Sequence, residues 1–176
     1  GNVTLNNPVI LGNNIAIDAS SGGIAAGPAV VGGNILFNST VDSDAPGTPR
    51  NLTITTNTST GNVTFTGAVG STNALGDITV NSAGTTLFSS TVQAASVLTD
   101  APGTTTLSAD VTTSGTQTYL DPVEIANSLT LTTTDSAVEF GQTVDSSTTS
   151  ALIVTAGAGN VTFTGAVGST NALGDI

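Results

Sequence analysis

The groups able to do acid–base or ligand chemistry are few: twelve Asp and Glu, one Arg, one Tyr, and many Ser, Thr and Asn side chains. Glycoside hydrolysis needs two facing carboxyl groups, one to donate a proton and one to act as nucleophile or base. Glu124 and Glu139 are the two glutamates of the chain, and catalysis through them is not expected. Calcium takes six to eight oxygen ligands. The densest acidic cluster is Asp42-Ser43-Asp44, which makes Asp42 and Asp44 the weak Ca²⁺ candidates. Asp145 aligns with Asp42, but Ser147 holds the other slot, and no D-x-D-x-D-G loop or GGxGxD nonapeptide occurs. No cofactor is expected, and Ca²⁺ is the one ion the acids invite. The plainer reading of these carboxylates is that they solvate turns.

Composition closes most other routes. There is no Lys, His, Cys, Met or Trp, and the formal charge is −11. Disulfides and Cys or His metal sites are excluded. No Ser–His, Cys–His or Lys nucleophilic device can be assembled, and Lys–Asn isopeptide cross-links are excluded with them. Arg50 alone cannot displace counterions from phosphate, so nucleic acid is not an expected partner. Nowhere do about 18 apolar residues run together, so no transmembrane helix is expected. An enzyme is not expected.

Two surface chemistries remain. Threonine pairs such as Thr64/Thr66, Thr130/Thr132 and Thr162/Thr164 resemble the flat T-x-T faces of ice-binding solenoids, although Ser89, Ser108, Leu120 and Gly141 interrupt them. Sequons at Asn2, Asn38, Asn51, Asn57, Asn62 and Asn160 permit glycosylation.

The elements that position these groups come from a repeat. GNVTFTGAVGSTNALGDI at residues 61–78 recurs unchanged at 159–176, an offset of 98 residues. Inside it lies a shorter motif: a small residue, then usually apolar residues at +2 and +4, then Val at +8. Copies begin at Gly1, Gly33, Gly61, Gly84, Gly103, Gly115, Ser136 and Gly159. The +4 slot holds Leu5, Phe37, Phe65, Phe88, Leu107, Tyr119, Phe140 and Phe163, so it takes every aromatic residue in the chain. The +8 slot holds Val9, Val41, Val69, Val92, Val111, Val123, Val144 and Val167. Residues 1–17 align on 115–131. The chain therefore reads as the C-terminal part of one unit (1–60), one complete unit (61–158) and the start of the next (159–176). It is expected to be a window of a longer array.

Val63-Thr64-Phe65 alternates with period two, the mark of a half-buried strand. Second strands such as Leu129-Thr130-Leu131 follow each motif, and Gly, Asn, Asp and Pro supply the turns. From Gly61 onward the motif starts are spaced 23, 19, 12, 21 and 23 residues. Most of these spacings fit one coil of a parallel β-helix, or β-solenoid, whose equivalent positions stack into ladders. The expectation is an all-β parallel solenoid with an aromatic ladder and a Val ladder inside. The spacing of 12 fits a truncated coil or a hairpin. A hairpin supports the alternative, tandem antiparallel Ig-like sandwiches of about 98 residues. A solenoid would grow along its axis, by covalent continuation or end-to-end assembly, at about 4.8 Å per coil.

GNVTFTGAV, GTQTYLDPV and SLTLTTT resemble the repeat regions of filamentous-haemagglutinin-like and β-strand-repeat secreted bacterial adhesins and exoproteins. The resemblance spans the chain and rests on repeat pattern and composition. It implies an extracellular, cell-surface, right-handed β-helical or β-rich shaft with adhesive or matrix roles, and surface glycans as partners. The near absence of cations and the insertion at 18–32 depart from that pattern. The expected function is a non-catalytic segment of a surface fibre or adhesin shaft. The alternative is a carbohydrate- or ice-binding module using an outward Thr/Asn face.

Overall fold

Strands mostly of three to five residues cannot bury much alone, so their apolar slots must be covered by copies above and below. In the computed structural model, residues 1–20, 33–56, 61–100 and 102–176 are described. The sequon at Asn57 and most of the 18–32 insertion lie outside the described residues. The described residues form nineteen strands and no helix, and every strand pairing among them is parallel. The fold is a β-solenoid with three faces. The antiparallel sandwich is not formed.

The first face is one seven-stranded sheet: β1 (Val3–Leu5), β4 (Ile35–Phe37), β7 (Val63–Phe65), β9 (Thr85–Phe88), β11 (Thr104–Leu107), β14 (Val123–Ile125) and β17 (Val144–Ser146). The second face carries β2 (Val9–Leu11), β5 (Val41–Ser43), the bridge residue Val69, the first half of β10 (Val92–Thr99), β12 (Val111–Thr113), β15 (Leu129–Thr133) and β18 (Leu152–Thr155). The third carries β3 (Ile15–Asp18), β6 (Leu52–Thr55), β8 (Leu75–Asn81), the second half of β10, β13 (Gln117–Tyr119), β16 (Val138–Phe140) and β19 (Val161–Phe163). The long β10 turns the corner between the second and third faces.

Each coil is tied to the next by backbone bonds along the axis, such as Val3 N–H to Asn34 O and Asn38 N–H to Leu5 O, both 2.8 Å. Asparagines reinforce the turns. The Oδ1 atoms of Asn2, Asn34 and Asn62 accept the N–H of Asn34, Asn62 and Thr85, one coil on, at 2.8–2.9 Å. Asn38 donates its amide to Asn6 Oδ1 at 2.7 Å, and Asn51 Oδ1 accepts the Asp77 N–H at 2.9 Å. Four of the sequon asparagines, Asn2, Asn38, Asn51 and Asn62, thus hold rungs together.

The expected aromatic ladder is two ladders. Phe37, Phe65 and Phe88 stack on the first face, with centroids 4.8 and 5.0 Å apart and planes within 5°. Leu107, Ile125 and Ser146 continue that row. Tyr119, Phe140 and Phe163 stack on the third face at 5.5 and 4.8 Å, and the residue paired below Tyr119 is Thr99. The Val row divides in the same way. Val9, Val41, Val69, Val92 and Val111 run up the second face, and Val123, Val144 and Val167 up the first.

The cause is the spacing of 12. The copy at Gly103 supplies strands on two faces, β11 and β12, and no second-strand segment follows it. The copy at Gly115 must take the third face itself, and every later copy is displaced by one face. Within each ladder the slots are closed: Phe37, Phe65, Phe88, Tyr119 and Phe140 are fully buried. Burying such a ring contributes about 1.5–3 kcal/mol. Phe163 is only partly buried and Val167 is 36% exposed, both in the last of the described coils.

Candidate functional site

The acidic candidates do not converge. Asp42 is buried on the second face, where its Oδ1 accepts the N–H of Thr72 at 2.7 Å and of Asn73 at 3.2 Å. These bonds hang the turn at residues 70–76 on β5. Asp44 instead forms a two-point ion pair with Arg50, Nε to Oδ1 at 2.8 Å and Nη2 to Oδ2 at 3.0 Å. That guanidinium holds the Asp44 carboxyl below the usual carboxylate range. Both candidate carboxylates therefore already have donors. Glu124 lies on the first face and Glu139 on the third, each at the middle, outward position of its strand. Among the described residues no three carboxylates gather closely enough to hold a metal ion.

The motif singled out 70–76 only as part of the long repeat, yet the segment forms a turn that recurs with its own carboxylate anchor. Its second copy, 168–174, hangs on Asp145: Oδ1 accepts the N–H of Thr170 at 2.7 Å and of Asn171 at 3.3 Å. Gly70 and Gly168 open the two turns at φ of 72° and 66°, a left-handed backbone that glycine adopts without a Cβ penalty. Gly70 also has no room for a side chain, since a Cβ there would lie 2.0 Å from the carbonyl oxygen of Gln93.

Sequence reasoning missed a polar interior where the motif changes face. Asp121 is 1% exposed; its Oδ1 accepts the hydroxyls of Thr99 at 2.8 Å and Thr105 at 2.9 Å. No cation answers it, because Arg50 is engaged by Asp44. Burial pushes its carboxyl above the ordinary range against the pull of the two hydroxyls, and the neighbouring Asp100 adds to the rise. Gln117, on β13, is also fully buried. Its Nε2 donates to Val111 O at 3.1 Å and Thr132 O at 2.9 Å, and its Oε1 accepts the Tyr119 hydroxyl at 3.1 Å. Burial raises the Tyr119 pKa, so that hydroxyl stays a donor. The cue was present at +2, where Thr86, Thr105 and Gln117 replace the Val or Ile of the other copies. This cluster is sealed from solvent, so it organises the core and has no access to substrate.

The outward rows are mixed. The first face reads Thr4, Leu36, Thr64, Leu87, Thr106, Glu124, Asp145 from coil to coil. The third reads Ala16, Thr53, Thr79, Leu98, Thr118, Glu139, Thr162. The longest unbroken run of threonine is Thr112, Thr132 and Thr155 on the second face. No protein-family profile, curated protein or solved structure matches the chain.

Proposed function

We propose that the chain is a segment of the shaft of an extracellular, repetitive fibre or adhesin on a bacterial surface, and that its work is structural. The observation that carries this reading is that the identical segments 61–78 and 159–176 are both built into one continuous stack of coils. A unit that stacks on its own repeat can lengthen a rod without a new interface, because each rung asks of the next only the same backbone spacing. Several of the side chains that could do chemistry hold that rod together: Asp42 and Asp145 bind turns, Asp44 pairs with Arg50, and Gln117 and Asp121 lie in the core.

The rod extends along its axis by covalent continuation or by end-to-end contact. Side-by-side sticking is opposed by the charge of −11 and by hydrated outward threonines. The mixed outward rows give little support to a flat ice-binding face. The test is to label intact cells of the source organism with an antibody to this chain, and to treat them with a non-penetrating protease. Surface staining lost on protease treatment supports the shaft. Staining seen only after lysis sinks it.

A further inference from the structure

The two copies of one surface element lie on different sides of the molecule. Asp42 and its turn at 70–76 rise from the second face, where Val69 bridges Val41 and Val92. Asp145 and its turn at 168–174 rise from the first face, where Val167 bridges Val144. The change is independently visible in the core, since Phe65 belongs to the first-face stack and Phe163 to the third-face stack. From Phe65 to Phe163 the chain passes fourteen face positions, which is four coils and two further faces. A unit of 98 residues therefore does not close on a whole number of coils.

We infer that the shaft displays each element of its repeat on all three faces in turn. This inference rests on the shaft reading, because it needs units to follow one another. Each unit raises the element by about 22 Å and moves it to a neighbouring face, given a rise of about 4.8 Å per coil. The element returns to its first face after three units, about 67 Å along the axis. A rigid planar partner lying on one face meets one copy per three units. The turn exposes Ser71 and Thr72 in one copy and Ser169 and Thr170 in the other.

The exact repeat allows a direct test. Because 61–78 equals 159–176, residues 79–176 can be joined after Ile176 and the unit continues in phase. The chain is lengthened by three units in this way. Ser71 and each equivalent serine are changed to cysteine in a protein that has none, labelled with small gold clusters and imaged by electron microscopy. The expected result is labels stepping round the rod, with the first and fourth in line and about 67 Å apart. Labels in a single row, every ~22 Å, overturn the inference.

Should the lengthened chain fail to fold, spin labels in the original chain give the same decision. The pair Ser71→Cys with Ser169→Cys is compared with Ser71→Cys with Ile153→Cys, whose members share the second face. The first pair must be clearly the more distant, and equal distances overturn the inference. Neither readout depends on where the protein resides, so a failure of the surface assignment leaves this result standing, and the reverse also holds.

Discussion

The hydroxyl of Tyr119 donates to Gln117 Oε1 at 3.1 Å inside the solenoid, two residues along the same short strand. The pair is the polar hinge of the core, where one motif register gives way to the next. Tyr119→Phe keeps the stack on Phe140 and loses one hydrogen bond, so it should cost about 1 kcal/mol. Gln117→Ala also strips a donor from Val111 O and Thr132 O and leaves the Tyr119 hydroxyl unpaired. It should cost about 3 kcal/mol or more, summing lost bonds of about 1 kcal/mol each with a cavity. Urea unfolding of the two variants checks the order, and an equal cost would remove Gln117 from the centre of the cluster.

Phe140 lies between two rings, at 5.5 Å from Tyr119 and 4.8 Å from Phe163. Phe140→Ala should lose about 3–5 kcal/mol. In a polypeptide of residues 1–176, Phe163→Ala should lose distinctly less, because its ring there stacks on Phe140 alone and is partly exposed. The same denaturant series measures both.

Asp121 predicts a pH profile. Its folded-state pKa is raised, chiefly by burial. Such a group contributes stability that is fully present below its unfolded value, near 4, and lost as pH rises through the folded value. The groups facing it are the hydroxyls of Thr99 and Thr105 and the like charge of Asp100, with no cation among them. Asp121→Asn, which stands in for the neutral acid, should melt higher than the native chain at pH 7 and alongside it near pH 3. The comparison between variants separates this effect from the general relief of acidic repulsion on acidification. A native chain as stable as Asp121→Asn throughout would show that the carboxylate is held without cost.

Divalent cations should not matter to the fold. Asp42 is occupied by two backbone N–H groups and Asp44 by Arg50. Melting curves with added Ca²⁺ and with a chelator should superimpose. A higher melting temperature in Ca²⁺ would point to a cation displacing those donors.

The alternation Val63-Thr64-Phe65 and the Gly- and Asn-rich turns were enough to read parallel coils, because each coil must repeat the same few inward slots. The number of ladders was not legible from slot identity alone. A motif says which residues face inward, and only the count of strands between copies says which face they line. The spacing between Gly103 and Gly115 held that information, but a short gap also fits a hairpin, and local pattern cannot separate the two. The turn function of Asp42 was hidden for a related reason. Its partners are the backbone N–H groups of Thr72 and Asn73, about thirty residues away, and backbone donors leave no mark in composition.

The hydrogen bonds between rungs, such as Val3 N–H to Asn34 O, run along the rod and not across it. Tension on the rod therefore loads them by peeling, one coil after another, instead of shearing many at once. A coil such as residues 61–83 contributes about 4.8 Å while stacked and roughly 80 Å when drawn out. A pull along such a rod would meet a line that lengthens many-fold before its covalent chain is taut.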